Sequence, residues 1–330
     1  MTHMTNMNFA EAIVDGLCHA LQADPAVTLI GSSFLGIGPH RGLAERIKRE
    51  FPGRMVDGPT AEAAIAGVGA GAAMAGSRPF VDLSTASFSL LAFSQIVNEA
   101  AVAHLMSGGQ IKTPVVYHML HGVRGGGAAQ HSSSPQAMLW NSPGLQLVLP
   151  ASPRDAKGLI RRALTSNNPT IIFNHAKLMG LKGEVPAGDY DIAFGQADIK
   201  RSGRDLTVVA SSYMVQVALD AAQVLAAEDI ELEVVDLRTL VPLDEETVLQ
   251  SVARTGRLVV IDECPLRCGI ASEIVATVCE RGMGLLKQPP RRLTRADVPV
   301  ALNPGLEAAI TPDATKLAQL VRSMLAKETA

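Results

Sequence analysis

Three side chains in the sequence are candidates for chemistry because of their types and their positions in the predicted elements. Glu62 lies in the first turn of a predicted helix rich in alanine and glycine, Phe88 lies where a predicted strand gives way to a helix, and His131 follows the glycine run 125–127. The helix dipole favours a carboxylate in a first turn, and a phenylalanine at a strand end is either core or a platform for a heterocycle. A loop at the carboxyl end of a parallel strand is where ligands bind in open α/β sheets. The pattern therefore indicates a ligand site at one edge of a sheet, with His131 well placed for chemistry.

Two other patterns resemble cofactor or metal sites but do not meet the requirements for them. The glycines between residues 67 and 76 include a G-x-G spacing, but they lie inside a helical pattern, whereas a dinucleotide site needs them at a strand-to-helix turn. His118 and His121 lie at a strand end, with no third zinc ligand at a recognised spacing. Each glycine within a helix costs roughly 0.8–1 kcal/mol relative to alanine. This cost predicts close packing of the helix against another helix or a second subunit.

The composition is that of a globular protein with a large core. The chain has 330 residues, 47% of them hydrophobic, and a formal net charge of −3, which gives no electrostatic footprint for nucleic acid or anionic membrane. Residues 1–17 lack the charged and apolar regions of a signal peptide, and no apolar run reaches the ~18 residues needed to span a bilayer. The four cysteines form no C-x-x-C pair. These features predict a cytoplasmic protein.

The order of predicted elements indicates an α/β fold with two parallel-sheet domains. Short apolar strands alternate with longer amphipathic helices, as in parallel sheets covered by helices on both faces. The alternation stops in a segment rich in glycine, proline and charge, and then resumes. We therefore predict a first domain over residues 1–180, a linker at 181–204 and a second domain over 205–330. The strands predicted in the first domain are 26–31, 78–83, 113–119, 145–150 and 169–175, and its predicted helices include 89–109 and 152–168.

Six stretches of the sequence resemble the beta subunits of the thiamine-diphosphate-dependent 2-oxoacid dehydrogenases and acetoin dehydrogenases. The resemblance extends from about Phe9 to Val321 and is carried by GPTAEAAIAGVGAGAAMAGSRPFVD, SQIVNEAAVAHLMSGGQ, AAQHSSSP, PGLQLVLPASPRDAKGLIRRALTSNNPTIIF, EVVDLRTLVPLDEETVLQSVARTGRLVVIDE and DVPVALNPGLEAAITPD. It implies a pyrimidine-binding, transketolase-like fold for the first domain and a fold like the transketolase C-terminal domain for the second. It also implies an alpha subunit as partner in an alpha2–beta2 tetramer, and a lipoyl acyltransferase core that receives the acyl group.

The resemblance further implies a cofactor and a role for each candidate residue. In this family thiamine diphosphate lies between the two subunits, with its diphosphate and a magnesium ion held by the alpha subunit. The family's glutamate, stacking phenylalanine and active-site histidine fall on Glu62, Phe88 and His131. Glu62 would hydrogen-bond a pyrimidine nitrogen and so promote proton loss from the thiazolium carbon, and His131 would assist acyl transfer to the lipoyl group. The chain lacks the G-D-G pattern with which the alpha subunit holds the diphosphate, so it is expected to supply only part of an active site.

A potassium ion is a second ligand that the resemblance implies. In this family the ion is held mainly by backbone carbonyl groups. The matching residues of this chain are Val115, Ala163, Leu164, Ser166 and Asn168.

Several residues depart from the family pattern around the implied pocket. Ser32 and Ser33 replace an acidic pair associated with linkage between two active sites, Ala86 replaces an aromatic residue, and His118 replaces a common arginine. These changes imply a wider and differently polar pocket. We therefore expect the thiamine chemistry to be retained and the substrate to differ from pyruvate.

The residues leave other functions open beside the 2-oxoacid dehydrogenase. The chain could be the beta subunit of an acetoin dehydrogenase, or half of a non-oxidative carboligase of transketolase or decarboxylase type. A non-catalytic scaffold subunit is a further alternative, although the presence of Glu62 argues against it.

Overall fold

A computed structural model describes residues 3–31 and 41–326, so the departures at Ser32 and Ser33 lie outside the described residues. The chain divides into two compact units. The first contains residues Met1–Gly122 and Met138–Phe194, and the second contains Val123–Ala137 and Gly195–Ala330. Within the described ranges, the chain has no helix of the length and apolar character needed to cross a membrane.

The first unit is built on parallel strands with helices packed against them. The strands up to residue 194 are β1 (Met4–Asn8), β2 (Val27–Ile30), β3 (Met55–Val56), β4 (Arg78–Thr85), β5 (Val116–His121), β6 (Gln146–Val148), β7 (Thr170–His175) and β8 (Lys182–Pro186). The α-helices of this part are α1 (Phe9–Ala23), α2 (Arg41–Glu50), α3 (Glu62–Met74), α4 (Ala103–Met106), α5 (Gln136–Trp140) and α6 (Pro153–Thr165).

Six of these strands lie side by side in the order β6-β7-β5-β4-β2-β3, and every neighbouring pair is parallel. The interior strands are apolar on both faces because helices cover both sides of the sheet. Strand β5, for example, buries Tyr117 and Met119 on one face and Val116 on the other. The predicted parallel sheet is therefore confirmed. Strands β1 and β8 form a separate antiparallel pair, which the sequence analysis did not predict.

The segment predicted as a helix over residues 89–109 is largely helical, but its hydrogen-bond pattern changes along the chain. A 3₁₀ turn covers Ala86–Leu90, a π-helical turn covers Gln95–Ala100, and α4 is a short helix. The backbone of Gly144 lies against the carbonyl of Ala101, where a Cβ on the glycine would be 2.3 Å from the oxygen. Gly144 therefore approaches the backbone at the point where the π-helical turn ends. A π-helical turn is a rare feature that often occurs at functional sites.

The second unit has a mixed sheet with its own helices. Its strands are β9 (Asp198–Arg201), β10 (Leu206–Ala210), β11 (Leu232–Asp236), β12 (Thr239–Val241), β13 (Leu258–Pro265) and β14 (Arg291–Arg295). Its helices are α7 (Tyr213–Ala226), α8 (Glu245–Thr255), α9 (Ile270–Gly282), α10 (Pro304–Ile310) and α11 (Ala314–Ala326). The sheet order is β14-β13-β10-β11-β9, in which only the pairing of β9 with β11 is antiparallel. The predicted α/β class is confirmed, with one antiparallel edge strand as the difference.

Helix α3 packs unusually close to strand β4 of the first unit. Gly69 faces the sheet, and a Cβ at this position would be 2.4 Å from Cγ2 of Val81, a buried side chain with no room to move. Gly71 lies on the exposed face of the same helix, where a Cβ would meet no described atom within 4 Å. The close packing that the glycines predict is therefore partly accounted for within the unit, at Gly69.

We predict that Gly69→Ala lowers the free energy of unfolding of the full chain, by about 1–3 kcal/mol for overpacking. The loss outweighs the gain in helix propensity, which is about 1 kcal/mol. Gly71→Ala is the matched control and should raise the free energy of unfolding by up to about 1 kcal/mol. Urea unfolding of the two variants measures both effects. Stabilisation by both substitutions would contradict the proposed close approach.

Candidate functional site

Glu62 lies at the start of α3, on the face of the helix that is turned toward the sheet. Its side chain is 8% exposed, and among residues 3–31 and 41–326 it has no hydrogen bond or ion pair. Ala61 is the N-cap and makes no side-chain capping bond. The partial positive charge of the helix N-terminus therefore acts on the Glu62 carboxylate in the first turn. A buried polar group without a partner is costly and rare. The carboxylate is therefore fitted to accept or share a hydrogen with a ligand.

Phe88 lies in the 3₁₀ turn Ala86–Leu90 that directly follows β4, and its ring is half-buried. Two polar atoms of this region, Ser87 Oγ and Gln95 Oε1, are buried without a hydrogen-bond partner within the described residues. Gln95 lies in the π-helical turn, which packs against α3. The π-helical turn that follows the Phe88 segment therefore lies against the helix of Glu62, in a region with buried polar atoms that a polar heterocycle would satisfy.

His131 lies at the end of a short 3₁₀ turn, Ala129–His131, within the loop that belongs to the second unit, and it is exposed. The residue before this turn, Ala128, has a φ of 53°, which is strained for a residue with a side chain. The residue after the turn, Ser132, is fully buried, and its carbonyl accepts a hydrogen bond from Arg295 Nη1 at 3.1 Å. The loop is therefore an ordered structure that presents the histidine at its surface.

A buried Asp–His pair lies between neighbouring strands of the first sheet. Asp82 of β4 is opposite His118 of β5, and Asp82 Oδ1 is 3.2 Å from His118 Nδ1. The imidazole also stacks on Phe80, with ring centroids 5.3 Å apart. The sequence analysis noted His118 as a replacement for arginine but did not identify its partner. The signal for it was the single acidic residue in the apolar strand pattern RPFVDL.

The residues predicted to hold potassium lie around the end of α6 and the strands beside it. Ser166 follows the helix, and its carbonyl accepts a hydrogen bond from Arg78 Nη1 at 2.8 Å. The carbonyl of Val115 accepts from Thr170 N, and that of Asn168 accepts from Thr170 Oγ1. A carbonyl oxygen has two lone pairs, so these bonds leave one acceptor position on each. These carbonyl groups could therefore still bind a cation. The carbonyl of Ser166, however, already accepts a hydrogen bond from the positively charged guanidinium of Arg78.

Comparisons with known proteins identify the family and the fold of this chain. Residues 5–181 match the family described as "Transketolase, pyrimidine binding domain", and residues 195–317 match "Transketolase, C-terminal domain". The acetoin:2,6-dichlorophenolindophenol oxidoreductase subunit beta of Cupriavidus necator is 40% identical over 324 residues, which cover 95% of this chain and 96% of the relative. The 2-oxoisovalerate dehydrogenase subunit beta of Bacillus subtilis is 38% identical, with 90% and 91% of the two chains covered. A split-gene transketolase solved as an inactive beta4 tetramer has the same fold, with a TM-score of 0.79 and 24% identity over 96% of this chain and 97% of the other.

The fold and the sequence matches define a transketolase-like protein with a pyrimidine-binding domain and a transketolase C-terminal domain. Within that class, the chain belongs to the family of beta subunits of thiamine-dependent 2-oxoacid and acetoin dehydrogenases. The family predicted from the sequence motifs is therefore confirmed. The roles of Glu62, Phe88 and His131 stay predictions, which the geometry above supports for each residue separately.

Asp262 of β13 is a buried carboxyl group of the second unit. Burial raises the pKa of Asp262 to about 6 from its ordinary 3.8, although the N–H groups of Cys264 and Ala271 partly oppose the shift. The folded chain therefore holds a proton between about pH 4 and pH 6 that the unfolded chain releases, and stability contributed by this group is lost as the pH rises through that window.

We predict that Asp262→Asn raises the free energy of unfolding at pH 7.5 by about 2–3 kcal/mol, since the amide stays neutral. The gain over the wild-type chain should shrink as the pH falls and disappear near pH 4. Urea unfolding at pH 4, 5.5 and 7.5 measures it. Asp220→Asn, at an exposed position of α7, is the control and should show no such pH dependence. A gain that is constant across these pH values would contradict the assignment.

Proposed function

We propose that this chain supplies the pyrimidine-binding part of a thiamine-diphosphate-dependent dehydrogenase that works with an alpha subunit. The observation that carries the proposal is the Glu62 carboxylate, buried at a helix N-terminus without a protein partner in the described residues. A carboxylate in this state fits a ring nitrogen, with which it shares a hydrogen. Phe88 offers a half-buried aromatic face for the ring to stack on.

When bound, thiamine diphosphate supplies an acidic ring carbon and an electron sink for cleavage of the bond next to a carbonyl group. The part of this chain is to hold the pyrimidine and to control its protons. Glu62 keeps a hydrogen bond on one ring nitrogen, and so sets which other nitrogen of the ring can take a proton. The exposed imidazole of His131 is placed to donate or accept a proton as the acyl group passes to a lipoyl group. The diphosphate and its magnesium ion belong to the alpha subunit in this proposal.

The proposed substrates are 2-oxoacids and acetoin. The proposed acceptor of the acyl group is the oxidised lipoyl group of an acyltransferase, which is reduced in the same step. Two of the relatives are named for acetoin and others for pyruvate and 2-oxoisovalerate. His118 in place of arginine pairs with Asp82 in the interior of the sheet, where both side chains are buried, and so changes the polarity between β4 and β5. We propose acetoin as the first substrate to test, because a relative named for acetoin is 40% identical to this chain, whereas those named for 2-oxoisovalerate and pyruvate are 38% and 36% identical. A potassium ion at the carbonyl groups around Ser166 is part of the same proposal.

We predict that Glu62→Gln lowers the turnover of the complex with the alpha subunit by about 10²–10⁴-fold, the range for a positioned proton transfer. Turnover is measured with 2,6-dichlorophenolindophenol as acceptor and with acetoin, pyruvate and 2-oxoisovalerate as substrates. Glu184→Gln, on the exposed strand β8, is the matched control and should keep wild-type turnover. Near-normal turnover of Glu62→Gln with normal thiamine diphosphate binding would remove the proposed role of this residue.

We predict that His131→Ala spares cofactor binding and slows acyl transfer to lipoate. The expected loss is about 10²-fold or more, because the imidazole moves a proton in that step. Calorimetry of thiamine diphosphate binding to the complex and single-turnover transfer to a lipoyl domain separate the two effects. Unchanged transfer kinetics would refute the role of His131.

A further inference from the structure

The loop that carries His131 begins with backbone that only glycine adopts readily. Gly125 has a φ of 79° and Gly126 a φ of 111°, in the left-handed region where L side chains are strained. Consecutive N–H groups in such a conformation turn to the same side and form a concave site for an anion. The anion in this case comes from the protein.

The carboxylate of Glu307 accepts both of these N–H groups. Gly125 N donates to Oε1 at 2.8 Å, and Gly126 N donates to Oε2 at 3.1 Å. The Glu307 side chain is 3% exposed, so the bonds form away from water. Hydrogen bonds to an ionised acceptor are about twice as strong as neutral ones. Glu307 is therefore a two-point clamp on the start of the loop.

The helix that carries Glu307 is fixed at both of its ends. Helix α10 has seven residues, and a helix of that length is marginal without outside support. At its N-terminus, Asn303 Oδ1 accepts the N–H groups of Gly305 and Leu306. At its C-terminus, Lys316 Nζ donates to carbonyl groups of the last turn, including that of Ala308 at 2.9 Å. These caps give Glu307 a defined position from which to hold the loop.

Two further side chains hold the loop on either side of His131. Glu263 of β13 accepts the N–H of Val123 at 2.6 Å, on the N-terminal side. Arg295 of β14 donates to the carbonyl of Ser132, on the C-terminal side. The histidine is thus placed between anchored segments, within a turn that Ala128 enters in a strained conformation. Strain of this kind persists only where the surroundings fix the backbone.

We propose that Glu307 is a positioning residue for His131, acting through its clamp on Gly125 and Gly126. The inference rests on the proposed function of His131 and adds to it the group that fixes the loop. Glu307 is 182 residues from Gly125 in the sequence, and it has no contact with a ligand in this proposal. Its effect on the reaction must therefore pass through the position of the imidazole.

The first test measures the loop directly in the isolated full chain. Glu307→Gln keeps the size of the side chain, but its amide can accept only one of the two N–H groups. Amide exchange at Gly125 and Gly126 should accelerate by about tenfold or more, the equivalent of one charged hydrogen bond. Glu228→Gln is the matched control, because it removes a carboxylate that pairs with Arg322 at 2.6 Å elsewhere in the same unit. Unchanged exchange at both glycines in Glu307→Gln would overturn the proposal.

The second test asks whether Glu307 acts through His131. In the complex with the alpha subunit, Glu307→Gln should lower acyl transfer to lipoate roughly 10- to 100-fold, as a misplaced catalytic group does, with little change in KM or in thiamine diphosphate affinity. In the His131→Ala background the same change should have an effect of less than about twofold, since residues that act as a unit are not additive. Glu307→Asp keeps the charge and should recover part of the lost rate.

Two outcomes of the kinetic test would overturn the proposal. Wild-type transfer in Glu307→Gln with accelerated exchange would show that the clamp does not matter for the reaction. An equal loss in both backgrounds would show that Glu307 does not act through the histidine. Wild-type transfer in His131→Ala alone would instead refute the proposed function of His131, so the two failures are distinguishable. If Glu307→Gln does not fold, Glu307→Asp provides the same test, because its shorter side chain draws the carboxylate away from the N–H groups of Gly125 and Gly126.

Discussion

The close approach of α3 to the sheet decides where the Glu62 carboxylate can lie. Glu62, Ile65 and Gly69 are on the same buried face of the helix, and Gly69 lets that face approach Val81 without a side chain between them. The carboxylate is therefore carried inward with the apolar residues and loses most of its contact with water. Only the helix N-terminus offsets part of this cost, because the described residues include no cation or donor that pairs with it. In the proposed function, a bound ring that shares a hydrogen with Glu62 would supply the missing interaction, and the packing of one glycine would then be linked to the chemistry of the site.

The sequence predicts the elements of this protein well where the signals are local. The helix predicted over 152–168 is α6, which Ser152 caps with its hydroxyl accepting Asp155 N at 3.1 Å. Helix α8 has the acidic N-cap Asp244 and the C-cap Gly256. The strands of the first sheet follow their apolar runs to within a few residues. The segment 89–109 follows its helical pattern as well, but it contains a π-helical turn at Gln95–Ala100 that the apolar spacing does not indicate. Local periodicity contains no information about a backbone that approaches from elsewhere in the chain.

The candidate site shows the same division between local and distant signals. Glu62, Phe88 and His131 are recognisable from residue type, position in the predicted elements and family motifs. The groups that support them are not, since Glu263 and Glu307 meet the loop from 140 and 182 positions away. A glutamate in the pattern NPGLEAAI has the appearance of an ordinary surface residue of a short helix. Its function as a clamp is visible only when the fold brings the N–H groups of the loop to its carboxylate.

Three energetically unfavourable features lie in the second unit, with Ala128 in the loop of His131 and Arg295 in contact with it. Ala128 adopts a positive φ, which costs of order 1–3 kcal/mol. Asp262 is buried with its pKa raised to about 6, so its ionised form is destabilised at neutral pH. Arg295 Nε is buried with no hydrogen-bond partner in the described ranges. Simple changes, such as glycine at 128 or an amide at 262, would relieve these costs. The strain that the loop retains is explained if the loop must hold His131 in one place. A site tuned for function retains strain that selection for stability alone would remove.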